Sequence, residues 1–390
     1  MTTEEKHHTL LRAARDVADD LAADAIARDQ AGRPPIDEKA RLREAGLLAA
    51  LTPPGPGGGT DWRTGCAVIR DIAAADSSVG EMLARHFVHT WSGRFYAGHH
   101  RATALEEESL REQWLWTGAV RALAPDEGGH APDLILRRRN TGYVLHGRRP
   151  VETAVTVADQ IAVDAVCATT GDILVVRIAP GARGVTVDTA PDRLGQRVAG
   201  AGSLILDRVA VAPERLLGRR PHDEESAAPF TTLAEPALRL ALCHVGLGIM
   251  EGALTEARDL SRRGRGHRRP GEDPDLLLTY GELASAAQTA TAVVHRATAA
   301  MARALDPGSP LDAEEPATVT SLVGTAETVT AKAALEITAR VLELADAPGL
   351  DRFWRNARVL TAHHPATRRL RSIGEHYLNA SHRAVAAAFH

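Results

Sequence analysis

Leu350-Asp351-Arg352-Phe353-Trp354-Arg355-Asn356-Ala357-Arg358, followed at once by Thr361-Ala362-His363-His364-Pro365, decides how the rest of the chain is read. The first part reads as a basic, aromatic-bearing helix. It breaks at a histidine pair, because Pro365 disfavours helical backbone at His364 and itself suits the first turn of a new helix. The pair would lie beside that helix's N-terminus, whose partial positive charge lowers an imidazole pKa and keeps the ring neutral. No Asp or Glu stands between Asp351 and Glu375, so the chemistry this segment offers is that of imidazole.

Working outward, the chain is helical again on both sides of the quoted stretch. Leu238 to Leu260, Asp275 to Leu305, Ala317 to Leu344 and Ala366 to Ala388 carry apolar residues at helical spacing. Asp306-Pro307-Gly308-Ser309-Pro310 breaks two of them apart, and four long helices suggest a bundle. Upstream, from about Trp114 to Leu217, the period switches towards two. Leu134-Ile135-Leu136 and Tyr143-Val144-Leu145 flank the turn Asn140-Thr141-Gly142. Ile161 to Val166 and Ile173 to Val176 flank Thr170-Gly171-Asp172 in the same way, and Leu204 to Val211 gives another strand before Pro213. Further back the helical period returns: Leu10, Leu11, Ala14, Val17, Leu21 and Ala25 share one face. Pro53 to Gly59 forms a loop, and Asp76-Ser77-Ser78 opens a helix carrying Val79, Leu83 and His86. The expected organisation is α+β: an N-terminal helical domain over 1–113, a central β-barrel over 114–228 and a C-terminal helical bundle over 229–390.

Composition narrows the function classes. A net charge of −4 supplies no field for nucleic acid. The densest basic cluster, Arg262, Arg263, Arg265, His267, Arg268 and Arg269, has no interleaved aromatics for base stacking. Cys66, Cys167 and Cys243 are odd in number and far apart, which indicates neither a disulfide framework nor a metal site. The first residues hold no apolar signal core, and no run approaches the roughly 18 apolar residues of a membrane span. The expectation is a cytoplasmic protein.

The order of helices, β unit and bundle resembles the acyl-CoA dehydrogenase superfamily, and local motifs support the likeness. Gly46 to Leu51 with Pro54 resembles its first loop, and Gly195-Gln196-Arg197 with Leu206-Asp207-Arg208 to Gly218 resembles its barrel-exit motif. Arg355-Asn356-Ala357-Arg358 resembles the helix that leads into its active-site loop, where the dehydrogenases carry a catalytic glutamate; here that position falls on His364. Within the superfamily the chain resembles the two-component flavin monooxygenases, which include dibenzothiophene monooxygenase, amine N-hydroxylases and nitrososynthases. Trp114-Leu115-Trp116, the helix bearing His86, Tyr280 to Ala284, and Leu350 to Arg358 with His363 carry that likeness.

The resemblance implies an enzyme that uses reduced FMN or FAD from a separate reductase, together with O2, to hydroxylate a small metabolite. An amine nitrogen is the favoured target, and a role in secondary metabolism such as antibiotic biosynthesis is suggested. The protein must keep such a site dry and hydrogen-bonded, a task for neutral histidines, which donate from one nitrogen and accept on the other. By resemblance His363 lies on the oxygen side and His86 is its partner, while His364 departs from the branch's usual Asp. Trp116, Thr117, Thr153 and Ser203 would face the flavin. Arg262 and Arg263 would grip its phosphate across a subunit boundary, with Arg358 joining the flavin set. A homotetramer is implied. Two departures bear on cofactor binding: Gly118 stands where the branch has asparagine, and Glu343 to Gly349 is a shortened form of its phosphate loop. Rival readings are a flavin-free enzyme doing acid–base cyclisation or elimination, an acyl-CoA dehydrogenase, which the missing carboxylate disfavours, and a non-catalytic scaffold.

Overall fold

A computed structural model describes residues 3–51, 60–120, 133–190, 192–221, 227–263, 273–306, 311–312, 314–345, 347–362 and 366–379. The first block comprises α1 (Thr3–Ala31), α2 (Ile36–Glu44), α3 (Trp62–Ala75), α4 (Ser77–Thr90), α5 (Ser92–Tyr96) and α6 (His99–Glu112). Two aspartates set its helix starts. Asp61 accepts from the Thr64 N–H to open α3, and Asp76 accepts from Ser78 and Val79 to open α4, satisfying donors that a helix start leaves free.

Eight strands follow: β1 (Trp116–Ala119), β2 (Leu134–Arg139), β3 (Gly142–Val151), β4 (Gln160–Cys167), β5 (Ile173–Ile178), β6 (Val185–Thr189), β7 (Gly202–Val211) and β8 (Leu216–Arg220). Both hairpins read from the sequence form: β2 pairs antiparallel with β3, and β4 with β5. The sheet runs β6-β7-β3-β2-β4-β5-β8, and β1 lies parallel to β4, end to end with the short β2 pairing. Leu136, Leu145, Val163, Val176 and Leu206 meet in one apolar core, so the sheet curls round its own interior. Its two end strands, β6 and β8, do not pair with each other among the described residues. The expected barrel is therefore a mixed, curled sheet.

The chain then returns to helices: α7 (Pro229–Thr232), α8 (Ala234–Arg263), α9 (Pro274–Ala304), α10 (Glu315–Leu344), α11 (Asp351–Leu360) and α12 (Ala366–Asn379). Leu21, Ile69, Leu83, Ile249, Val294, Ile337 and Phe353 belong to one hydrophobic cluster. The two helical blocks are thus separate in sequence but share a core. Pro229–Arg263 is long and apolar enough to cross a membrane by length and composition, yet most of its apolar window is packed inside the fold. The small residues of α8 allow close approach: a Cβ at Gly248 would lie 2.6 Å from the Ala73 side chain of α3.

The helix quoted first, α11, ties these parts together. Arg352 donates to Glu256 of α8 and, at 2.7 Å, to the Gly349 carbonyl. Arg355 pairs with Asp29 of α1 at 2.5 Å and donates to the Leu194 carbonyl at 3.0 Å. Asn356 accepts from the Gln196 N–H at 2.6 Å and donates to Ser77 Oγ at 2.8 Å, and Ser77 donates on to Gln196 Oε1 at 3.3 Å. One buried amide thereby closes a triangle between α11, the start of α4 and the loop between β6 and β7. Gln196 holds a left-handed φ of +52° there, a conformation that costs a non-glycine residue energy unless its surroundings hold it. Beside it, a Cβ at Gly195 would lie 2.4 Å from the Arg355 carbonyl oxygen.

Two substitutions test this anchorage by urea unfolding. Asn356→Ala leaves the buried Gln196 N–H without its acceptor and should lower stability by roughly 1–3 kcal/mol. Gly195→Ala drives a methyl into backbone that cannot swing aside and should cost about as much or more. Wild-type midpoints in both would show that α11 is not what joins the sheet to the helices.

Candidate active site

The site is built where α4 runs across β1. Every residue of α4 is buried, so its polar side chains must find partners inside the protein. His86 finds two. Its Nε2–H donates to the Leu48 carbonyl at 2.8 Å, and its Nδ1 accepts from the Trp116 N–H at 3.0 Å. This clamps the short helical turn Leu47–Ala49 that follows α2, the helix α4 and the strand β1 together. Burial, above all else, pushes the His86 pKa down to about 4, so the ring is neutral as expected. Both nitrogens are engaged, however, and His86 cannot also face a reacting oxygen. The sequence reading of His86 as a pocket partner is corrected on this point: the ring positions β1.

One turn further on, His89 differs. Its Nε2 is buried with no hydrogen-bond partner among the described residues, while the ring donates from its other side to the Gly118 backbone. Burial, then the neighbouring Arg85 and His86, lower its pKa to about 3. Gly118 is where the resemblance expected asparagine. A Cβ there would meet the Ala162 carbonyl at 2.3 Å and the His89 ring at 2.8 Å. The imidazole thus takes up space that a strand side chain would need. His89 was missed in the sequence because it lies three positions beyond His86, the histidine carrying the resemblance, and nothing in the spacing says which of two buried rings keeps a free nitrogen.

The other expected residues are distributed as follows. Trp116 is wholly buried with Leu105, Ala162, Val175 and Leu217, and its indole N–H donates to Ser109 Oγ at 3.2 Å, so it packs the core beside the site. The Thr117 hydroxyl donates to the Thr153 carbonyl at 2.5 Å, and the Thr153 hydroxyl to the Ala199 carbonyl at 2.8 Å. Those two protons are committed to backbone, so toward a ring these residues, expected from the resemblance to face the flavin, have only their lone pairs to offer. Ser203 is half-buried on β7. Arg262 and Arg263 are exposed at the end of α8, and Arg358 is exposed in the last turn of α11, so neither cluster meets β1 within this chain. His363 and His364 lie outside the described residues, as do Arg265, His267, Arg268 and Arg269. The truncated loop before α11 is closed by Gly349 at φ +88°, whose missing side chain lets Ile26 of α1 approach.

A buried acceptor supports cofactor fit on the same strand pair. Gln160, paired with Trp116, has its Oε1 buried and without a partner among the described residues. Such an oxygen suits a ring N–H of the kind a flavin presents. No group of three or more metal-ligating side chains occurs among the described residues.

The fold and this α4–β1 site define the acyl-CoA dehydrogenase class. The family described as "Acyl-CoA dehydrogenase, C-terminal domain" matches residues 240–368. Dibenzothiophene monooxygenase of Rhodococcus erythropolis is 30% identical, with 94% of this chain and 92% of that protein covered. The methanesulfinate monooxygenase structure from Pseudomonas fluorescens superposes with a TM-score of 0.86 at 29% identity, covering 95% of this chain and 97% of the other. A complex from Paenibacillus sp. A11-2 with FMN and indole gives 0.87 at 28% identity, covering 96% and 98%. The chain belongs to the flavin-dependent monooxygenases of the acyl-CoA dehydrogenase superfamily, and is an oxidoreductase.

Buried neutral histidines make stability depend on pH. His86, His89 and His244 have folded pKa values of about 4, 3 and 3, against 6.5 for a free imidazole. Below pH 6.5 the unfolded chain binds the extra protons, so stability is full above that value and falls as pH drops towards the folded values. At pH 5 each ring should cost roughly 2 kcal/mol relative to pH 7. Urea midpoints at the two pH values check the sign. Equal midpoints would mean that these rings do not enter the fold neutral.

Proposed function

We propose that this protein takes reduced FMN from a separate flavin reductase and uses O2 to place one oxygen atom on a nucleophilic heteroatom of a small molecule. The observation that carries the reading is at α11. The helix is pinned to α1, α8 and the sheet loop, so its end at Ala362 is set, and the segment it hands on contains His363 and His364 with no carboxylate before Glu375. A dehydrogenase needs an acid there, with its pKa raised by burial, to remove a substrate proton. A monooxygenase needs a dry site with neutral donors and acceptors.

Bound FMN would supply the two electrons that let O2 give one atom to the substrate and the other to water. Gln160 on β4 offers an acceptor for its ring, and Thr117 on β1, Thr153 just after β3 and Ser203 on β7 would add oxygen lone pairs from other parts of the sheet. His86 holds β1 against Leu48, which closes that end to water. His363 would provide the donor and acceptor next to the reacting oxygen. Arg262 and Arg263, exposed at the α8 end, would reach the phosphate of a flavin bound by a neighbouring copy. That role requires the homo-oligomer.

The acceptor atom carries a lone pair. Two of the relatives bear the names of sulfur substrates, dibenzothiophene and methanesulfinate, which favours sulfur over the amine nitrogen expected from the sequence. Both atoms attack the same electrophilic oxygen, so one site chemistry serves either. The purified protein should bind FMN saturably. Mixing its reduced-FMN complex with O2 should give a transient near-ultraviolet absorbance that decays with substrate oxygenation. With reductase and 18O2, methyl phenyl sulfide should acquire label faster than benzylamine. No FMN binding and no transient would sink the reading, while the reverse substrate order would restore nitrogen. His363→Ala should raise peroxide release per turnover several-fold while changing FMN affinity little.

A further inference from the structure

The inner face of α4 carries a polar ladder that the proposed chemistry does not use. Glu81, Arg85 and His89 recur every four residues and therefore share one stripe of the helix. All three are buried: Glu81 is 0% exposed, Arg85 8% and His89 5%. Glu81 Oε1 accepts from Arg85 Nε at 2.9 Å, and Glu81 Oε2 has no partner among the described residues. The terminal nitrogens of Arg85 make no hydrogen bond among the described residues, and the residue's remaining exposure leaves that edge reachable. His89 at the end of the stripe lies against Gly118 with Nε2 bare. Sinking a charged pair and a half-satisfied imidazole into one face costs several kcal/mol over an apolar stripe of the same volume. Such an arrangement persists where a ligand completes it.

We propose that Arg85 is the anion clamp of the substrate pocket, taking the two charge-sharing oxygens of a carboxylate or sulfinate on its free guanidinium edge. Glu81 is a positioning residue: by holding Nε it fixes the plane of the guanidinium and turns the other edge outward. A guanidinium fork matches two oxygens in a plane as a lysine ammonium does not. His89 Nε2, with its proton on the other nitrogen, accepts from an N–H, O–H or carried water of the same ligand. An ammonium is disfavoured as the anchored group, because the only carboxylate in the ladder, Glu81, is sealed from the surface. The assignment rests on the monooxygenase reading for the identity of the pocket, but anion binding itself does not.

Calorimetry on the full chain, with and without saturating oxidised FMN, separates the two. The probes are methanesulfinate and acetate, compared with the neutral dimethyl sulfone and acetamide. Wild type should bind each anion at least tenfold more tightly than its neutral counterpart. Arg85→Gln should abolish that preference with FMN affinity unchanged, and Arg85→Lys should restore only part of it. Glu81→Gln removes a competing negative charge while keeping a hydrogen-bond acceptor, so it should tighten anion binding several-fold, which a purely structural role would not do. Equal affinity of wild type for anions and neutral analogues, a measurement that needs no variant, overturns the proposal. So does an anion preference that survives in folded Arg85→Gln. Anion preference in a protein that binds no FMN would support the clamp and sink the flavin reading.

Discussion

A single amide holds this molecule in register. Asn356 reaches from α11 to the backbone of Gln196 and to the hydroxyl of Ser77, so the bundle, the sheet and the first helical block meet at one buried side chain. The surrounding ion pairs repeat the connection over a wider radius: Arg355 to Asp29, Arg352 to Glu256, and Arg28 to Asp76 and Glu38. A cavity of about 10 Å³ lined by Asp29, Asp76, Ser77, Arg352 and Asn356 lies within this cluster, room for about one water. Polar groups packed so closely are expensive to leave half-bonded. The position of α11 as far as Ala362 follows from the bonds that Arg352, Arg355 and Asn356 make at once to three parts of the chain.

The same logic divides the histidines. His86 and His89 sit three residues apart on one buried helix, are both depressed in pKa by desolvation, and have opposite fates. The first spends both nitrogens on backbone, Leu48 on one side and Trp116 on the other. The second leaves one nitrogen without a partner among the described residues, on a ring that lies beside a glycine. A structural histidine and one left available to a ligand are told apart by what stands opposite each nitrogen, and burial alone does not distinguish them. Glu81 and Arg85 extend this from one residue to a face. In sequence they look like the i,i+4 pair of a solvated helix, and only the closure of β1, α3 and α8 around α4 turns them inward.

The proposed flavin chemistry asks for a dry strand pair with polar atoms along it, and β1 with β4 is buried and carries Thr117 and Gln160. Trp116 and Ala162 seal one side with Leu105, Val175 and Leu217, while the Thr117 hydroxyl donates to the Thr153 carbonyl and the Thr153 hydroxyl to the Ala199 carbonyl. The resemblance implies that both threonines face the flavin. Their protons instead stitch adjacent segments of the sheet, because a buried hydroxyl next to a free carbonyl donates to it before any ligand arrives.

Much was legible in the chain itself. Periods of 3.6 and two, with turn residues at Asn140-Thr141-Gly142 and Thr170-Gly171-Asp172, determine the helices and the two hairpins because they depend on residues close in sequence. The carboxylate-free stretch between Asp351 and Glu375 likewise excludes a dehydrogenase base in that segment without coordinates. Tertiary structure alone decided that the two helical blocks share one core, that β1 lies parallel to β4 with Gly118 facing His89, and that the terminal nitrogens of Arg85 make no hydrogen bond among the described residues. Those facts depend on groups brought together across long separations, as Ser77, Gln196 and Asn356 are. No local pattern encodes which partner a buried polar atom finds; that is set only when the whole core closes.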